Sequence, residues 1–305
     1  MLPIEEQTIL VVGTGAMACI FAARLKAAGL SPVMLGSWTQ GLEAIQKFGV
    51  RVLEAEGQEQ AYPIQVTCDP QDVKGVRFAI VLVKSWQTSR AARQLAECLD
   101  AKGVALTLQN GHGNREQLAQ VLGAQRVALG VTTLGSTLLA PGLVRPVGEA
   151  VISLEAHPRL GSLSNLLQSA GFVIENAPDA NALVWGKLVI NAAINPLTAL
   201  LGIPNGELLQ RGSARLLMQA VAREAAAVAV AQGVRLPYPD PVVAVETIAR
   251  RTAVNRSSML QDVERGAPTE IEAICGAIVQ AGEQVGVPTP INRTLLQLVK
   301  ALRPD

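Results

Sequence analysis

The chain has 305 residues, of which 49% are hydrophobic and 17% charged, and its formal net charge is +1. This composition provides for a large core and excludes an intrinsically disordered chain, and the length is sufficient for two domains. Because the lysines and arginines are scattered, the sequence offers no clustered basic surface for a nucleic-acid partner.

The first half of the chain alternates short apolar runs with stretches of helical periodicity. The predicted strands are TILVVG (8–13), SPVMLG (31–36), FAIVLVK (78–84), VALTLQNG (104–111), AVISL (150–154) and GFVIENA (171–177). A helix through Leu25 and Ala28 separates the first two strands, and a helix around 86–99 follows the third. Non-alternating apolar strands separated by helices are typical of a parallel sheet covered on both faces.

From Asn181 onward the periodicity is helical. The predicted helices cover 181–195, 205–233, 239–265, 269–285 and 291–302, with Gly- and Pro-containing breaks between some of them. The sequence therefore predicts an α/β N-terminal Rossmann-type domain with a parallel sheet (residues 1–178). An all-α C-terminal domain (residues 179–305) follows it.

Cysteine spacing and the N-terminal segment indicate the compartment. The four cysteines are far apart and lack the Cys/Cys or Cys/His spacing of a metal site, so we expect no metal and a reducing compartment. The segment MLPIEEQ carries an acidic pair where a secretory signal needs basic residues, and no apolar run reaches the roughly 18 residues of a membrane span. The sequence predicts a cytoplasmic protein without a membrane partner.

A glycine-rich turn lies between the first strand and the first helix. ILVVGTGAMA places Gly13, Gly15 and Ala18 in the pattern G-x-G-x-x-A. This pattern gives a tight turn, a bare backbone that a pyrophosphate can approach, and close packing of helix on strand. It predicts a dinucleotide site, the alternative being an ordinary tight turn.

The end of the second strand indicates which nucleotide is bound. VMLGSWTQ contains no Asp or Glu for the ribose 2′-hydroxyl of NAD, and no Arg for the 2′-phosphate of NADP. Ser37 and Thr39 offer hydroxyl groups, and Lys84 at the end of another strand offers a positive charge. The sequence predicts NADP.

A stripe of polar residues runs along an otherwise apolar helix in the second half. Lys187, Asn191 and Asn195 are spaced i, i+4 and i+8, which places them on one side of that helix. Three interpretations are open: the stripe is a solvated edge, its amides are engaged in helix capping, or it is the wall of a cleft.

Four stretches together closely resemble the ketopantoate reductase family, from about residue 8 to residue 302. They are LVKSWQT (82–88), LQNGHGN (108–114), WGKLVINAAINPLTA (185–199) and SSMLQDVERGAPTEIEAICG (257–276). The resemblance implies a helical domain like the C-terminal domain of 6-phosphogluconate dehydrogenase. It also implies NADPH-dependent reduction of 2-dehydropantoate to (R)-pantoate, in pantothenate and coenzyme A biosynthesis.

The resemblance implies roles for individual residues. Lys187 matches the proton donor, and Glu270 matches a glutamate near both that lysine and the nicotinamide ribose. The implied substrate-binding residues are Asn110, Asn191, Asn195, Asn205 and Ser258, with Ser258 binding the carboxylate. The implied cofactor-binding residues are Gly13, Thr14, Gly15, Ala16, Met17, Ala18, Ser37, Lys84, Asn110, Ser136 and Glu270. The chain departs from the family pattern at His112 and in lacking the Arg after the second strand.

Several of these residues also have plain structural interpretations. Asn110 could have no role beyond forming a turn with the glycine that follows it. Ser257 and Ser258 could lie on the polar face of a helix. Glu270 could be an acidic residue in the first turn of a helix, where it interacts favourably with the helix dipole. For the whole protein, two alternatives stay open. One is a related NAD(P)-dependent reductase of another 2-oxo or β-hydroxy acid, and the other is a non-catalytic nucleotide sensor on the same fold. Homodimer formation also stays open.

Overall fold

The computed structural model describes residues 8–54 and 57–302, which form two compact units. The first, called the α/β unit, contains the chain up to Gln109 and the segment Asn114–Ala180. The second, called the helical unit, contains Asn110–Gly113 and the chain from Asn181 onward. Residues 1–7, from which the sequence predicts the absence of a secretory signal, lie outside the described residues.

Alternating strands and helices build the α/β unit. Its strands are β1 (Thr8–Val12), β2 (Ser31–Leu35), β3 (Val50–Leu53), β4 (Glu59–Tyr62), β5 (Gln65–Thr67), β6 (Val76–Val81), β7 (Leu99–Thr107), β8 (Val127–Thr132), β9 (Gly135–Ala140), β10 (Leu143–Val147), β11 (Val151–Glu155) and β12 (Val173–Ala177). Its helices are α1 (Ala16–Ala27), α2 (Thr39–Phe48), α3 (Thr88–Cys98), α4 (Asn114–Leu122) and α5 (Gly161–Ser169).

The main sheet has eight strands in the order β12-β11-β8-β7-β6-β1-β2-β5. All neighbouring pairs run parallel except β11 and β8, which are antiparallel. One buried apolar cluster contains Ile9, Val11 and Phe21, and another contains Leu10, Val12 and Leu95. Because successive residues of β1 enter different clusters, both faces of the sheet are covered. This confirms the predicted Rossmann-type architecture.

A second sheet of four strands, in the order β4-β3-β10-β9, was not predicted. Strand β4 reads EQAY and is exposed over most of its length. Such a strand lacks the apolar run or the alternation that identifies strands in a sequence. Pairing with β3 and its neighbours, rather than local pattern, therefore determines its conformation.

The helical unit contains seven α-helices and one π-helical turn in its described residues. They are α6 (Ala180–Leu201), α7 (Glu207–Gln210), α8 (Gly212–Ala231), α9 (Pro241–Arg251), α10 (Ser258–Glu264), the π-helical turn Glu272–Gly276, α11 (Ala277–Val285) and α12 (Pro290–Lys300). Two predicted continuous helices are wrong in detail. The helix over 205–233 is interrupted at Arg211, and the helix over 239–265 is interrupted at 252–257.

Helix α6 forms the centre of the helical core. Trp185, Val189 and Ala192 are among its buried residues, and they belong to one apolar cluster with residues of the other helices. The helix continues through Pro196 to Leu201, whereas the sequence predicts an end at Asn195. Among the described residues it alone is long and apolar enough to cross a membrane, but 67% of its most apolar window is buried, as in a core helix of a globular protein.

Candidate functional site

The glycine-rich turn of the α/β unit adopts a backbone that its sequence requires. Gly13 has φ of +130°, which residues with a side chain rarely adopt. A Cβ at Gly13 would lie 3.3 Å from the carbonyl of Leu82 and 3.4 Å from the Cβ of Ala18. The turn therefore depends on the bare α-carbon of Gly13 and on a small residue at position 18.

Gly15 leaves the start of α1 open. It is the N-cap of that 12-residue helix and makes no side-chain capping bond. A Cβ built at Gly15 would meet no heavy atom within 4 Å. Since the first N–H groups of a helix have no partner within the helix, this open space can receive an anionic group such as a pyrophosphate.

The other predicted cofactor residues of the α/β unit occupy different environments. Thr14 is buried, and its side chain packs closely against Gly36. A Cβ at Gly36 would lie 2.6 Å from Cγ2 of Thr14. Ser37 is exposed just beyond β2, and Lys84 caps a short 3₁₀ turn after β6. Because β2 and β6 both pair in parallel with β1, Ser37 and Lys84 both lie beyond the carboxyl ends of the strands, at the same edge of the sheet.

Ser136 lies on β9, opposite Pro146 on β10. Its buried Oγ has no hydrogen-bond partner among the described residues. A buried hydroxyl without a partner costs free energy unless a bound molecule or water satisfies it. The Ser136 hydroxyl could therefore bind a ligand. Ser136 lies in the second sheet, apart from the residues of the glycine-rich turn.

In the helical unit, α6 carries the predicted polar stripe. Lys187 and Asn191 are half-buried, and Asn195 is buried with 7% of its surface exposed. The stripe is thus not a solvated helix edge. That interpretation is removed, because a solvated edge would be largely exposed, whereas helix capping and a cleft wall stay open.

Lys187 is electrostatically coupled to Glu270, which is 5% exposed. Burial lowers the pKa of Lys187 from 10.5 to about 8, and the negative charge of Glu270 opposes this shift. A lysine with this pKa is mostly protonated at neutral pH yet releases its proton far more readily than an exposed lysine. This tuning suits a general acid.

The loop Asn110–Gly113 packs against the π-helical turn Glu272–Gly276. Gly111 has φ of +87°, and a Cβ there would lie 2.7 Å from the Cβ of Ala273, in the π-helical turn. The backbone N–H of His112 donates to the carbonyl of Ala273 at 3.0 Å. A π-helical turn disturbs the regular α-helical bonding pattern, and here the loop satisfies one of its carbonyls. The loop that carries Asn110 is therefore held on the π-helical turn by its own backbone.

The residues that flank this loop in the chain, Gln109 and Asn114, belong to the α/β unit and are hydrogen-bonded within it. The Gln109 amide donates to the Thr88 hydroxyl at 2.8 Å and to the Val83 carbonyl at 3.0 Å. The Thr88 hydroxyl in turn donates to the Asn114 side chain at 2.8 Å. Since Thr88 and Asn114 are buried, this network fixes the chain on both sides of Asn110.

Asn205 offers a buried acceptor. Its Nδ2 donates to the Thr252 hydroxyl at 2.9 Å, and its backbone N–H donates to the carbonyl of Asn255 at 3.0 Å. Its Oδ1 is buried without a hydrogen-bond partner among the described residues. A donor on a bound ligand, such as a hydroxyl, would satisfy it.

Ser257 and Ser258 have different positions. Ser257 is the N-cap of α10, and its Oγ accepts from the N–H of Leu260 at 3.1 Å. Ser258 is the first helical residue and is half-buried. The two serines are thus not equivalent members of a polar face.

Sequence reasoning missed the residues that pack against α6 next to Lys187. The hydroxyl of Tyr238 donates to the carbonyl of Gly186 at 2.9 Å, and burial raises the pKa of this tyrosine. A Cβ at Gly186 would lie 2.6 Å from Cγ of Pro237. The segment PYPDP (237–241), which lies between two helices, therefore contacts α6 one residue before Lys187. Only the glycine preceding the lysine could have signalled this close approach.

Cysteines and metal ligands add nothing to this arrangement. Cys19, Cys98 and Cys275 are buried free thiols, and Cys68 is an exposed one. Within residues 8–54 and 57–302 no group of three or more His, Cys, Asp or Glu side chains could hold a metal ion.

Comparison with known families gives matches in both halves of the chain. A family model described as "Ketopantoate reductase PanE/ApbA" matches residues 9–159, and its counterpart "Ketopantoate reductase PanE/ApbA C terminal" matches residues 179–303. A 2-dehydropantoate 2-reductase from Archaeoglobus fulgidus is 37% identical over 97% of this chain and 98% of its own length.

Solved structures give the same family. A PanE/ApbA family ketopantoate reductase from Ralstonia eutropha JMP134 superposes with a TM-score of 0.89 at 31% identity, covering 97% of this chain and 98% of the other. A D-mandelate dehydrogenase in a ternary structure with NADH and anilino(oxo)acetate superposes with a TM-score of 0.91, at 22% identity and over 97% of this chain and 98% of the other. At that identity the second likeness concerns the fold alone.

Proposed function

Because this chain belongs to the ketopantoate reductase family, whose members are pyridine-nucleotide-dependent oxidoreductases, we propose that it reduces 2-dehydropantoate to (R)-pantoate with NADPH. The observation that carries this proposal is the coupling of half-buried Lys187 to buried Glu270, on a helix that also bears Asn191 and Asn195. A proton donor of lowered pKa beside neutral amides is what reduction of a 2-oxo acid requires.

In this proposal Lys187 holds the proton that the product hydroxyl acquires. NADPH supplies the hydride when it is bound. The ammonium group of Lys187 stabilises negative charge that develops on the substrate carbonyl oxygen, and then transfers its proton to that oxygen. Glu270 keeps Lys187 protonated at neutral pH, because its negative charge favours the ammonium form.

Uncharged groups hold the substrate. Asn110, Asn191 and Asn195 provide amides, Ser258 binds the carboxylate, and Oδ1 of Asn205 accepts from the substrate hydroxyl. Neutral donors and acceptors satisfy a hydroxylated acid without placing a second lysine or arginine in the buried site. The buried Oδ1 of Asn205, which has no partner among the described residues, supports a substrate with a hydroxyl to donate.

The glycine-rich turn would hold the nucleotide pyrophosphate through backbone groups of Gly13, Thr14, Gly15, Ala16 and Met17, with Ala18 allowing close helix packing. Ser37 and Lys84 would bind the 2′-phosphate, and Ser136, Asn110 and Glu270 would be the remaining cofactor-binding residues. The open space at Gly15 supports binding of a pyrophosphate, and the absence of a carboxylate at the end of β2 supports NADPH over NADH.

The proposal extends to the roles of the two domains, the cellular compartment and the partners of the enzyme. Residues 1–178 act as the dinucleotide-binding domain and residues 179–305 as the helical substrate domain, in a cytoplasmic enzyme without nucleic-acid or membrane partners. The scattered charges and the largely buried α6 support this. Light scattering after size exclusion measures whether the protein forms a homodimer.

An absorbance assay at 340 nm tests the function. Purified protein should oxidise NADPH when 2-dehydropantoate is added, and should do so less efficiently with NADH. It should also use 3-methyl-2-oxobutanoate poorly, because this 2-oxo acid has a branched carbon but no hydroxyl for Asn205. Absence of turnover with 2-dehydropantoate would refute the proposal, and higher efficiency with another 2-oxo acid would assign the site to that acid.

A further inference from the structure

We propose that Thr198 is a positioning residue that sets Ser258 against Asn195 for binding of the substrate carboxylate. This inference rests on the function proposed above. Thr198 lies on α6 and is fully buried, so it touches neither solvent nor substrate. Its hydroxyl donates to Oγ of Ser257 at 2.7 Å. This bond joins α6 to the start of α10, two elements that are 59 residues apart in the chain.

Ser257 transmits this bond to Ser258. Oγ of Ser257 accepts from the N–H of Leu260 at 3.1 Å and so caps α10. An N-cap serine can satisfy that N–H by itself, without a second hydroxyl behind it. Capping therefore does not explain Thr198. What Thr198 adds is a fixed distance between the first turn of α10, where Ser258 lies, and helix α6.

The same hydroxyl lies close to Asn195, and because it carries one proton, the Ser257 hydroxyl donates to Thr198 whenever Thr198 donates to a carbonyl of α6. Oγ1 of Thr198 lies 3.0 Å from the carbonyl oxygens of both Ile194 and Asn195. Pro196, which follows Asn195, has no N–H to contribute to helical bonding. The hydroxyl of Thr198 thus lies at one point between Asn195 and the serine pair. A β-branched side chain in a helix has few rotamers, which makes this anchor stiff.

The consequence concerns substrate affinity. Asn195 and Ser258 come from different helices, and both must reach one small acid. A small change in the distance between the Asn195 and Ser258 side chains weakens their hydrogen bonds to the bound substrate. It leaves Lys187 and the glycine-rich turn in place. Loss of the Thr198 hydroxyl should therefore raise KM for 2-dehydropantoate while sparing kcat and KM for NADPH.

Two substitutions at Thr198 separate this role from simple packing. Thr198→Val keeps the volume and removes the hydroxyl, whereas Thr198→Ser keeps the hydroxyl and removes a methyl group. We expect KM for 2-dehydropantoate to rise on the order of tenfold in Thr198→Val, the effect of one lost hydrogen bond. Thr198→Ser should keep a wild-type KM even though the lost methyl lowers the melting temperature. The reverse order of KM values would overturn the proposal.

A double-mutant cycle with Ser258→Ala tests whether Thr198 acts through Ser258. If it does, the effects of Thr198→Val and Ser258→Ala on KM are not additive, since the second change finds the contact already weakened. Additive effects would show that Thr198 acts elsewhere. If Thr198→Val does not fold, Ser257→Gly breaks the same bond from the other side at little capping cost, and it must raise KM similarly. An unchanged KM in Ser257→Gly contradicts the proposal.

The failure of this inference is distinguishable from failure of the proposed function. Wild-type protein that does not reduce 2-dehydropantoate would overturn the proposed function and this inference with it. Active wild-type protein together with a wild-type KM in Thr198→Val would overturn this inference alone.

Discussion

The two units present different kinds of atoms for binding. The glycine-rich turn of the α/β unit offers main-chain groups at the start of α1, with open space over Gly15. The helical unit offers side chains of Lys187, Asn195 and Glu270, which are wholly or partly buried. Backbone binding needs small residues in a fixed order. Side-chain binding needs neighbours that hold each group in place, such as Tyr238 behind α6.

This difference teaches where substitutions should act. In the α/β unit an added side chain blocks binding by occupying space, and the fold survives if the space is empty. In the helical unit the loss of one functional group removes chemistry or a hydrogen bond. The following predictions test this contrast, from the largest expected effect to the smallest.

Removal of Lys187, the proposed proton donor, should have the largest effect. Lys187→Ala should lower kcat by roughly 10²–10⁴-fold, the usual contribution of a general acid, while the affinity for NADPH stays near wild type. Steady-state kinetics and a fluorescence titration of NADPH measure the two quantities. Lys74→Ala, which removes an exposed lysine of the α/β unit, serves as the control. Activity within a few-fold of wild type in folded Lys187→Ala would mean that the proton comes from another group.

Substitution of Gly15 should produce the opposite pattern. Gly15→Ala adds a methyl group that meets no protein atom, so the melting temperature should stay constant or rise slightly. The methyl should nevertheless obstruct the phosphates and weaken NADPH binding by about 2–3 kcal/mol, or roughly thirty- to hundredfold. Gly13→Ala is the matched contrast, because strain at φ of +130° should lower its melting temperature. Unchanged NADPH affinity in Gly15→Ala would remove the turn from the nucleotide site.

Asn110 tests the loop that docks on the π-helical turn. Asn110→Ala should weaken substrate use by about 1–2 kcal/mol, or roughly five- to thirtyfold in kcat/KM, because one side-chain amide is lost. The backbone contacts of Gly111 and His112 with Ala273 do not involve the Asn110 side chain, so the loop should keep these contacts in the variant. Wild-type kcat and KM in this variant would exclude Asn110 from the site.

Ser37 tests nucleotide choice with a smaller effect. Ser37→Asp places a carboxylate at the exposed end of β2, where it should repel a 2′-phosphate and favour a ribose hydroxyl. A change of about 1 kcal/mol, or roughly fivefold, in the ratio of kcat/KM for NADPH and NADH is expected. Ser31→Asp, at the opposite end of β2, is the control. An unchanged ratio would mean that the 2′-phosphate lies away from Ser37.

The sequence was most informative where local pattern determines structure. Parallel strands such as β1 and β6 appear as apolar runs, and the glycine-rich turn follows from residue spacing and backbone freedom. The second sheet was missed because β4 is short, polar and exposed. The breaks at Arg211 and at 252–257 were missed because periodic apolar residues continue across them.

The same division holds for the site. The stripe on α6 follows from helical spacing, and the family resemblance suggested Glu270 and Ser258. Neither indicated the π-helical turn that receives the loop at Ala273, nor the bond between Thr198 and Ser257. These contacts join segments that are far apart in the chain, and no short-range pattern encodes them. The lowered pKa of Lys187 likewise depends on burial, which only the folded chain creates.

The pH dependence of kcat/KM for reduction of 2-dehydropantoate tests the central claim most directly, because it reports ionisations in the free enzyme. Lys187 must be protonated to donate, and its pKa is about 8, so kcat/KM should be constant near pH 6–7 and decline as pH rises through about 8. Glu270→Gln removes the charge that favours the ammonium form and should move this decline to lower pH. Lys187→Ala should abolish the decline. A decline that persists in Lys187→Ala, or that moves to higher pH in Glu270→Gln, would contradict the assignment of Lys187 as the proton donor.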